Sequence, residues 1–413
     1  MQNLTTGTSS VAVGYGALDM MSSGAYNTAV GSRALYSTTT GNENTAVGNI
    51  ALANNVAGSQ NTAVGASALN FNTSGTHNTG IGWKTLYQMT GGSYNTAVGS
   101  DVLFAGNTSG NTAVGAEAMH NMLGSYNTAI GAQAMQNGSG TCNTATGTYA
   151  LQSLTNGANN VANGYQALGN TSNGRNNVAM GTSALTGNVS GNNNVATGQQ
   201  ALQNNKYGSN NVATGGYALA LTTSGNNTGT GYLTLNRNTT GPNNTADGAN
   251  ALQNNTTGGN NIAIGASAGT NLVTGSNNID IGNPGSQSEG NTIRVGTQGT
   301  QTATFIAGIY GRPVAGSAVV IDQNGQLGTA PLAAAGSISS LTEELAALKA
   351  KEAARDEQIA KLNEQNAKLT SQLQEQSDKF IARLNEQNAQ LQNVAAQLAV
   401  KKPAPRLVKN SAK

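Results

Sequence analysis

One phrase of twelve residues recurs along two thirds of this chain, and it constrains the fold more than any other feature. It reads GAYNTAVGSRAL at 24–35, GSQNTAVGASAL at 58–69 and GSYNTAVGSDVL at 92–103. The glycine that closes NTAVG, the marker glycine, occurs 17 times from Gly14 to Gly282, at spacings of 16 or 17 residues. Helical hairpin repeats need about 34 residues and propeller blades about 40. The period therefore predicts a solenoid whose coil contains two short strands and two turns.

The composition agrees with a solenoid and disfavours the alternatives. Only 9% of the residues are charged, against a usual share of about 25%, and large aliphatic residues are few. A thick globular core is hard to build from such a chain. Disordered chains usually carry a high net charge, whereas the formal net charge here is +2.

Alternation within each NTAVG phrase assigns its residues to two faces of a strand. Alanine stands two residues before the marker glycine in 14 of 17 coils. In the coil of Ala97, Thr96 and Val98 flank it and belong to the opposite face. We expect the threonine and valine face to be internal, and the alanine face to be the closely approachable surface that faces partner chains.

Two further rows of the repeat carry predictions. Asparagine stands four residues before the marker glycine in 16 of 17 coils. Stacked about 4.8 Å apart, these side chains predict an amide ladder, although a turn preference of asparagine is the alternative.

The residue before the marker glycine becomes polar in the middle of the chain, and Val161, Val195 and Val212 partly compensate on the same face. The polar residues there are Thr146, Asn163, Thr197, Thr214, Thr230 and Asp247.

The organisation changes after the repeats. We divide the chain into a repeat head at 1–284, a β-rich neck at 285–329, a linker at 330–337, a stalk at 338–400 and a basic tail at 401–413. The neck phrases NTIRVG, TATFIAGIYG and SAVVIDQNGQLG read as strands, the last with a turn at Asn324–Gly325.

A coiled coil is predicted for the stalk. Its apolar residues follow one another at steps that are sums of three and four, and they are Leu341, Leu345, Leu348, Ile359, Leu362, Leu369, Leu373 and Phe380. Asn366 and Asn388 fall on this seam and would fix its register. A solvated single helix is the alternative, but no other domain is available for so long a helix to pack on.

The tandem phrase NTAVGxxAL, followed by strands and a coiled coil, resembles the head repeats of YadA-like trimeric autotransporter adhesins. SSVAVGYGAL at 9–18 and NNIAIGASAG at 260–269 match best. The resemblance implies a left-handed parallel β-roll, three of which pack around a threefold axis as a homotrimer. Coils of 16–17 residues are longer than the repeat of that family. The segment 302–329 also resembles the part of phage tail fibres that precedes an intramolecular chaperone domain.

No enzymatic chemistry is visible in the sequence, so we expect no catalytic residue, no metal and no cofactor. His77 and His120 lie in turn regions without acidic or cysteine neighbours at metal-ligand spacing. The nearly neutral roll offers no phosphate-binding stripe for nucleic acid. No stretch approaches the roughly 20 apolar residues of a membrane helix, so we expect no membrane insertion within this chain.

Exposed aromatic residues of the turns are the candidates for binding. They can stack on sugars or receptors, or they can simply brace the loops. They are Trp83, Tyr87, Tyr94, Phe104 and Tyr126.

Together these features predict a non-enzymatic, homotrimeric, adhesin-like fibre at the bacterial surface or outside the cell. Its repeat loops would attach to a host receptor, matrix or surface glycan. The alternative is a phage tail fibre on a virion, which the absence of a signal-peptide pattern in MQNLTTG favours. A minor alternative is an ice-binding solenoid, which requires threonines repeated on an outward strand.

Overall fold

The computed structural model describes residues 6–301, 303–304, 318–321, 325–330 and 337–400. The chain divides near residue 305 into two units. The first is a parallel β-solenoid of about 17 turns, and the second contains a single long helix. The prediction of a parallel solenoid followed by a C-terminal helix is confirmed.

The described strands are short and regular. In chain order they are β1 Val11–Val13, β2 Thr28–Val30, β3 Thr45–Val47, β4 Thr62–Val64, β5 Thr79–Ile81, β6 Thr96–Val98, β7 Thr112–Val114, β8 Asn121–Met122, β9 Thr128–Ile130, β10 Asn137–Gly138, β11 Thr144–Thr146, β12 Ser153–Leu154, β13 Val161–Asn163, β14 Val178–Met180, β15 Val195–Thr197, β16 Val212–Thr214, β17 Thr228–Thr230, β18 Thr245–Asp247, β19 Ile262–Ile264, β20 Ile279–Ile281, β21 Ile293–Val295, β22 Ala318–Ile321 and β23 Leu327–Ala330.

Eighteen of these strands form one parallel sheet, the main sheet, in which each coil pairs in register with the next. Ala29, for example, lies opposite Ala46. The marker glycines make this stacking possible, because a Cβ on Gly31, at φ +135°, would collide with the carbonyl of Gly48. Equivalent residues therefore form straight columns along the solenoid.

The two faces of the main sheet are the reverse of the prediction. Ala97 is 0% exposed within a single chain, as are nearly all the alanines of its row. At Gly80, which takes the alanine place in its coil, a Cβ would lie 3.0 Å from Cδ1 of Leu69 and 3.5 Å from Cδ1 of Leu86. The leucine that stands four residues after the marker glycine, such as Leu69, thus fills the interior of the coil and leaves room only for a methyl group on the strand. The threonines and valines face outward, and the expectation that they are internal is wrong.

Among the coils that the structure describes, a second strand forms in three. β8, β10 and β12 make a small parallel sheet, and Met122 and Leu154 from it belong to the same buried core as the alanines. This sheet therefore closes the core opposite the main sheet. In the other coils the same stretch consists of turns and bends.

The asparagine ladder is confirmed. Asn44 donates through Nδ2 to Oδ1 of Asn27 at 3.1 Å, and the main-chain N–H of Asn44 donates to the same oxygen at 3.0 Å. Nδ2 of Asn44 also donates to the carbonyl of Gly58 at 2.9 Å. The row is buried from Asn27 to Asn278, so it is an internal hydrogen-bonded column rather than a simple preference for turns.

Beyond the last marker glycine, NTIRVG contributes β21 to the main sheet, and β22 and β23 form an antiparallel hairpin. TATFIAGIYG and Asn324 lie outside the described residues, except for positions 303–304. Helix α1 runs from Ser337 to Val400. The coiled coil expected for this helix stays a prediction.

Candidate functional site

The candidate aromatic residues divide into two rows on the turns. In the first row, Tyr87 and Phe104 stack with ring centroids 5.1 Å apart. Phe71 meets Tyr87 edge-on at 5.0 Å, and His120 stacks on Phe104 at 4.9 Å. Four consecutive coils thus share one aromatic column, which we call the aromatic ladder.

Trp83 lies beside this ladder. The ammonium of Lys84 sits 4.3 Å from the Trp83 ring centroid and 5.6 Å from that of Tyr87. Trp83 remains half-exposed. It is the ladder neighbour whose ring is most accessible to a ligand.

Tyr94 and Tyr126 belong to a different row, five residues before the marker glycine. Tyr94 stacks on His77 at 4.6 Å. Tyr126 covers Gly110, where a Cβ would lie 2.7 Å from Cδ1 of Tyr126. The structure therefore unites Tyr87, Phe104 and Trp83 but places Tyr94 and Tyr126 apart from them.

Sequence reasoning missed Phe71, His77 and His120 as members of these rows. Their spacing of 16 or 17 residues from the neighbouring rings is the signal that identifies them. Because the rings of Tyr87, Phe104 and His120 stack face to face, their faces are largely used within the column. The ladder is thus better suited to bracing four coils than to stacking on sugar rings.

An open groove lies at the C-terminal end of the solenoid. It has a volume of about 540 Å³, and Arg237 is the single charged group among its lining residues in the described part of the chain. Asn254 and Asn271 follow Arg237 in successive coils, while Thr256 and Val273 form a parallel column two residues further on. The segment Gly285–Gln287 replaces a further coil and forms one wall, since the N–H of Val273 donates to the Gln287 carbonyl at 3.0 Å. A guanidinium among amides suits a hydroxylated anion.

A buried carboxylate closes the core at the same end. Asp280 stands in the alanine row, is 1% exposed and has no hydrogen-bond partner for either oxygen. Burial, followed by the nearby Glu289 carboxylate, raises the pKa of Asp280 to about 6, against a smaller opposing effect of Arg294. Arg294 is held by Glu289 through an Nη2–Oε2 ion pair of 2.6 Å. Among the residues described, no three His, Cys, Asp or Glu side chains gather closely enough to hold a metal ion.

The largest candidate surface is the outward face of the main sheet. Its two columns contain 36 residues from 18 strands, and Asp247 is the only charged one among them. Many apolar side chains in these columns are exposed, such as Val30 at 36% and Ile264 at 44%, and the others, such as Val64 and Val195, are partly exposed. So long a face with a single charged residue is unusual for a surface that remains in water.

Within the described residues, no helix is long and apolar enough to cross a membrane. No protein-family model matches the chain, and no curated protein matches it.

Proposed function

We propose that this protein is a non-enzymatic, homotrimeric fibre that attaches to surfaces, as the resemblance to YadA-like adhesins implies. The observation that carries the proposal is the apolar seam of α1, whose leucines are exposed within a single chain. Leu348 is 67% exposed, and the seam leucines from Leu345 to Leu398 are similarly open to solvent. The ion pairs Glu357–Lys361 and Glu364–Lys368 leave this seam free for apolar contacts. A helix of 64 residues with such a stripe is stabilised by winding around copies of itself.

The solenoid supplies a second self-association surface. The buried alanines cannot face a threefold axis, so we reassign the interface between copies to the outward face of the main sheet. This face is about 80 Å long and about 10 Å wide, which gives about 800 Å² per copy. A stable interface between two chains typically buries about 800 Å² on each partner, so this face, shared between two neighbours in a trimer, supplies about half of that area toward each, and the seam of α1 supplies the remaining contact.

The mechanism is display by a stiff scaffold. Main-chain hydrogen bonds from coil to coil hold the turns in fixed rows, so that three copies present identical surfaces and gain avidity. The turns with Trp83 and the groove with Arg237 lie off the main sheet and are free to meet a receptor, matrix or glycan. The bacterial surface or the extracellular space is the setting that the family resemblance implies. A phage tail is the alternative setting, and baseplate genes beside this gene would select it.

The assembly is tested by light scattering coupled to size-exclusion chromatography on the full chain. We expect the mass of three copies of the 41.5 kDa chain at micromolar concentration. Leu369→Ser together with Leu373→Ser should lower the assembly's melting temperature, because both residues are on the seam. Lys368→Ser, on the solvent-facing side, is the matched control. A monomeric mass for the wild-type protein would contradict the proposal.

A second candidate function is ice binding, which one observation favours. Threonines repeat in register on the outward face in eight consecutive main-sheet strands, from Thr28 to Thr144. Outward threonine arrays are what such a function requires. Thermal hysteresis is the test, with Thr62→Tyr as the disrupting variant, and clear activity of a monomeric chain would replace the fibre proposal.

A further inference from the structure

The outward face of the main sheet carries a stripe of apolar residues that changes column along the solenoid. We call the first residues of the main-sheet strands the leading column and their last residues the trailing column. From Val13 to Ile130 the trailing column is entirely Val or Ile, while the leading column is threonine from Thr28 onward. The stripe therefore begins on the trailing side.

The apolar residues move from the trailing column to the leading column in the middle of the solenoid. At the crossing point, β11 has threonine in both columns, Thr144 and Thr146. The leading column is then valine in four successive strands, β13 to β16. The trailing column of the same strands contains Asn163, Met180, Thr197 and Thr214.

Further along, both columns change character together. β17 and β18 are polar in both columns and include Asp247. β19, β20 and the final strand β21 are then apolar in both, with Ile262, Ile264, Ile279, Ile281, Ile293 and Val295. The apolar stripe is thus interrupted at β11 and again at β17 and β18, and is then restored over the full width of the face.

Contact between copies should follow this stripe. Removing valine and isoleucine side chains from water is favourable in proportion to their apolar area, whereas a threonine hydroxyl pressed against apolar neighbours loses its hydrogen bond to water. A face with one charge in 18 strands offers little to a charged partner. Its natural occupant is the same face of another copy, which has the same length and the same pattern.

We propose that copies of this chain pack stripe against stripe, and that their line of closest contact moves from the trailing to the leading column at Thr144–Thr146. This inference rests on the trimer proposed above. The two columns are about 7 Å apart along a strand, so the packed solenoids cross one another instead of running straight. The polar strands β17 and β18 form a hydrated gap in the interface.

Single cysteines in the full-length chain test the shift, with Cys142→Ser as the background. Val64→Cys and Thr62→Cys probe the two columns before the crossing, and Val195→Cys and Thr197→Cys probe them after it. Disulfides require Cα atoms within about 7 Å, so copper–phenanthroline oxidation should link copies more quickly across the closest contact. We expect linkage at least fivefold faster for Val64→Cys than for Thr62→Cys, and fivefold faster for the leading Val195→Cys than for the trailing Thr197→Cys. Ser153→Cys, on the opposite small sheet, is the control for random collisions.

The possible results distinguish this inference from the trimer proposal on which it rests. A trimeric chain in which both pairs favour the same column, or show no preference, overturns the shift and leaves the trimer standing. Linkage of Ser153→Cys as fast as that of Val64→Cys overturns the use of this face. A monomeric mass in scattering overturns both proposals at once.

Discussion

The side-chain Oδ1 of Asn177 accepts the main-chain N–H of Asn194, in the next coil, at 3.0 Å. The Nδ2 of Asn177 donates to the carbonyl of Gly191 at 2.9 Å and to Oδ1 of Asn160 at 3.1 Å. One buried amide therefore satisfies groups in the coils on both sides of it. The asparagine row stabilises the solenoid because it pairs polar groups that the thin core would otherwise bury without partners.

Asn177→Ala should destabilise the head by about 3 kcal/mol, because several buried groups lose their partners at a cost of about 1–3 kcal/mol each. Urea unfolding followed by circular dichroism measures the change. The matched control is Asn176→Gly, since Asn176 is exposed, has φ +56° and makes one side-chain contact to Asn193. A loss of stability as large in the control would show that the buried ladder has no special role.

Gly229→Ala should stabilise the head by roughly 0.5–1 kcal/mol, because alanine restricts the unfolded chain. Gly229 occupies the alanine row, and the nearest atoms to an added Cβ are Leu219 and Thr234 at 3.4–3.5 Å, which is ordinary contact. Thermal unfolding of the intact protein reports the gain.

Gly80→Ala is the counterpart in which the same exchange should fail. Its Cβ would lie 2.9 Å from Oγ1 of Thr85 and 3.0 Å from Cδ1 of Leu69. We expect no gain, or a loss of about 1 kcal/mol from overpacking. Equal stabilisation at the two positions would contradict the packing described for the alanine row.

The reversal of the two faces shows what the sequence alone could determine. The period, the strands and the asparagine ladder follow from residue spacing. Alternation places Thr96 and Val98 opposite Ala97, but it does not reveal which face is inside. Residue size suggested the wrong answer, because Leu69 and Leu86 reach across the coil from another part of the repeat and occupy the space where larger strand residues would otherwise point.

The sequence predicted the candidate sites less completely than it predicted the fold. Trp83, Tyr87 and Phe104 could be named as exposed aromatics, but their stacking partners come from turns whose geometry depends on left-handed residues. Leu86 at φ +54° and Lys84 at φ +52° are in this conformation, which such residue types rarely adopt. The groove with Arg237 exists because the chain departs from the repeat at 283–287. The repeat pattern does not predict the conformation of a segment that breaks it.

Ile50→Asn should stabilise the head by about 1 kcal/mol. Ile50 has φ +48°, a left-handed conformation that is costly for a β-branched residue and tolerated by asparagine. Its main-chain N–H donates to the Ser32 carbonyl at 2.8 Å, and the exchange leaves that bond in place. Ile50→Val keeps the branched Cβ and should give no gain. Chemical unfolding measures the free energy of unfolding of both variants. A stabilised Ile50→Val variant would contradict the conformational explanation.

Asp280→Ala should stabilise the C-terminal coils more at pH 8 than at pH 4. The pKa of Asp280 is raised from 3.8 to about 6, first by burial and then by Glu289. The folded state therefore holds this proton more tightly than the unfolded state does, and the stability contribution of Asp280 is fully present below about pH 4. That contribution falls as the pH rises through 6, because the unfolded chain ionises freely while the buried carboxylate does not.

The difference in melting temperature between Asp280→Ala and the wild-type protein should accordingly widen between pH 4 and pH 7 and then stay constant. The gain in free energy at pH 8 should be on the order of 2 kcal/mol. Asp280→Asn separates charge from size, since it keeps the shape of the side chain but cannot ionise, and its advantage should widen over the same pH range. Hydrogen exchange of the strand Ile279–Ile281 localises the effect. Parallel pH profiles for the variant and wild-type proteins would show that the ionisation of Asp280 does not oppose folding.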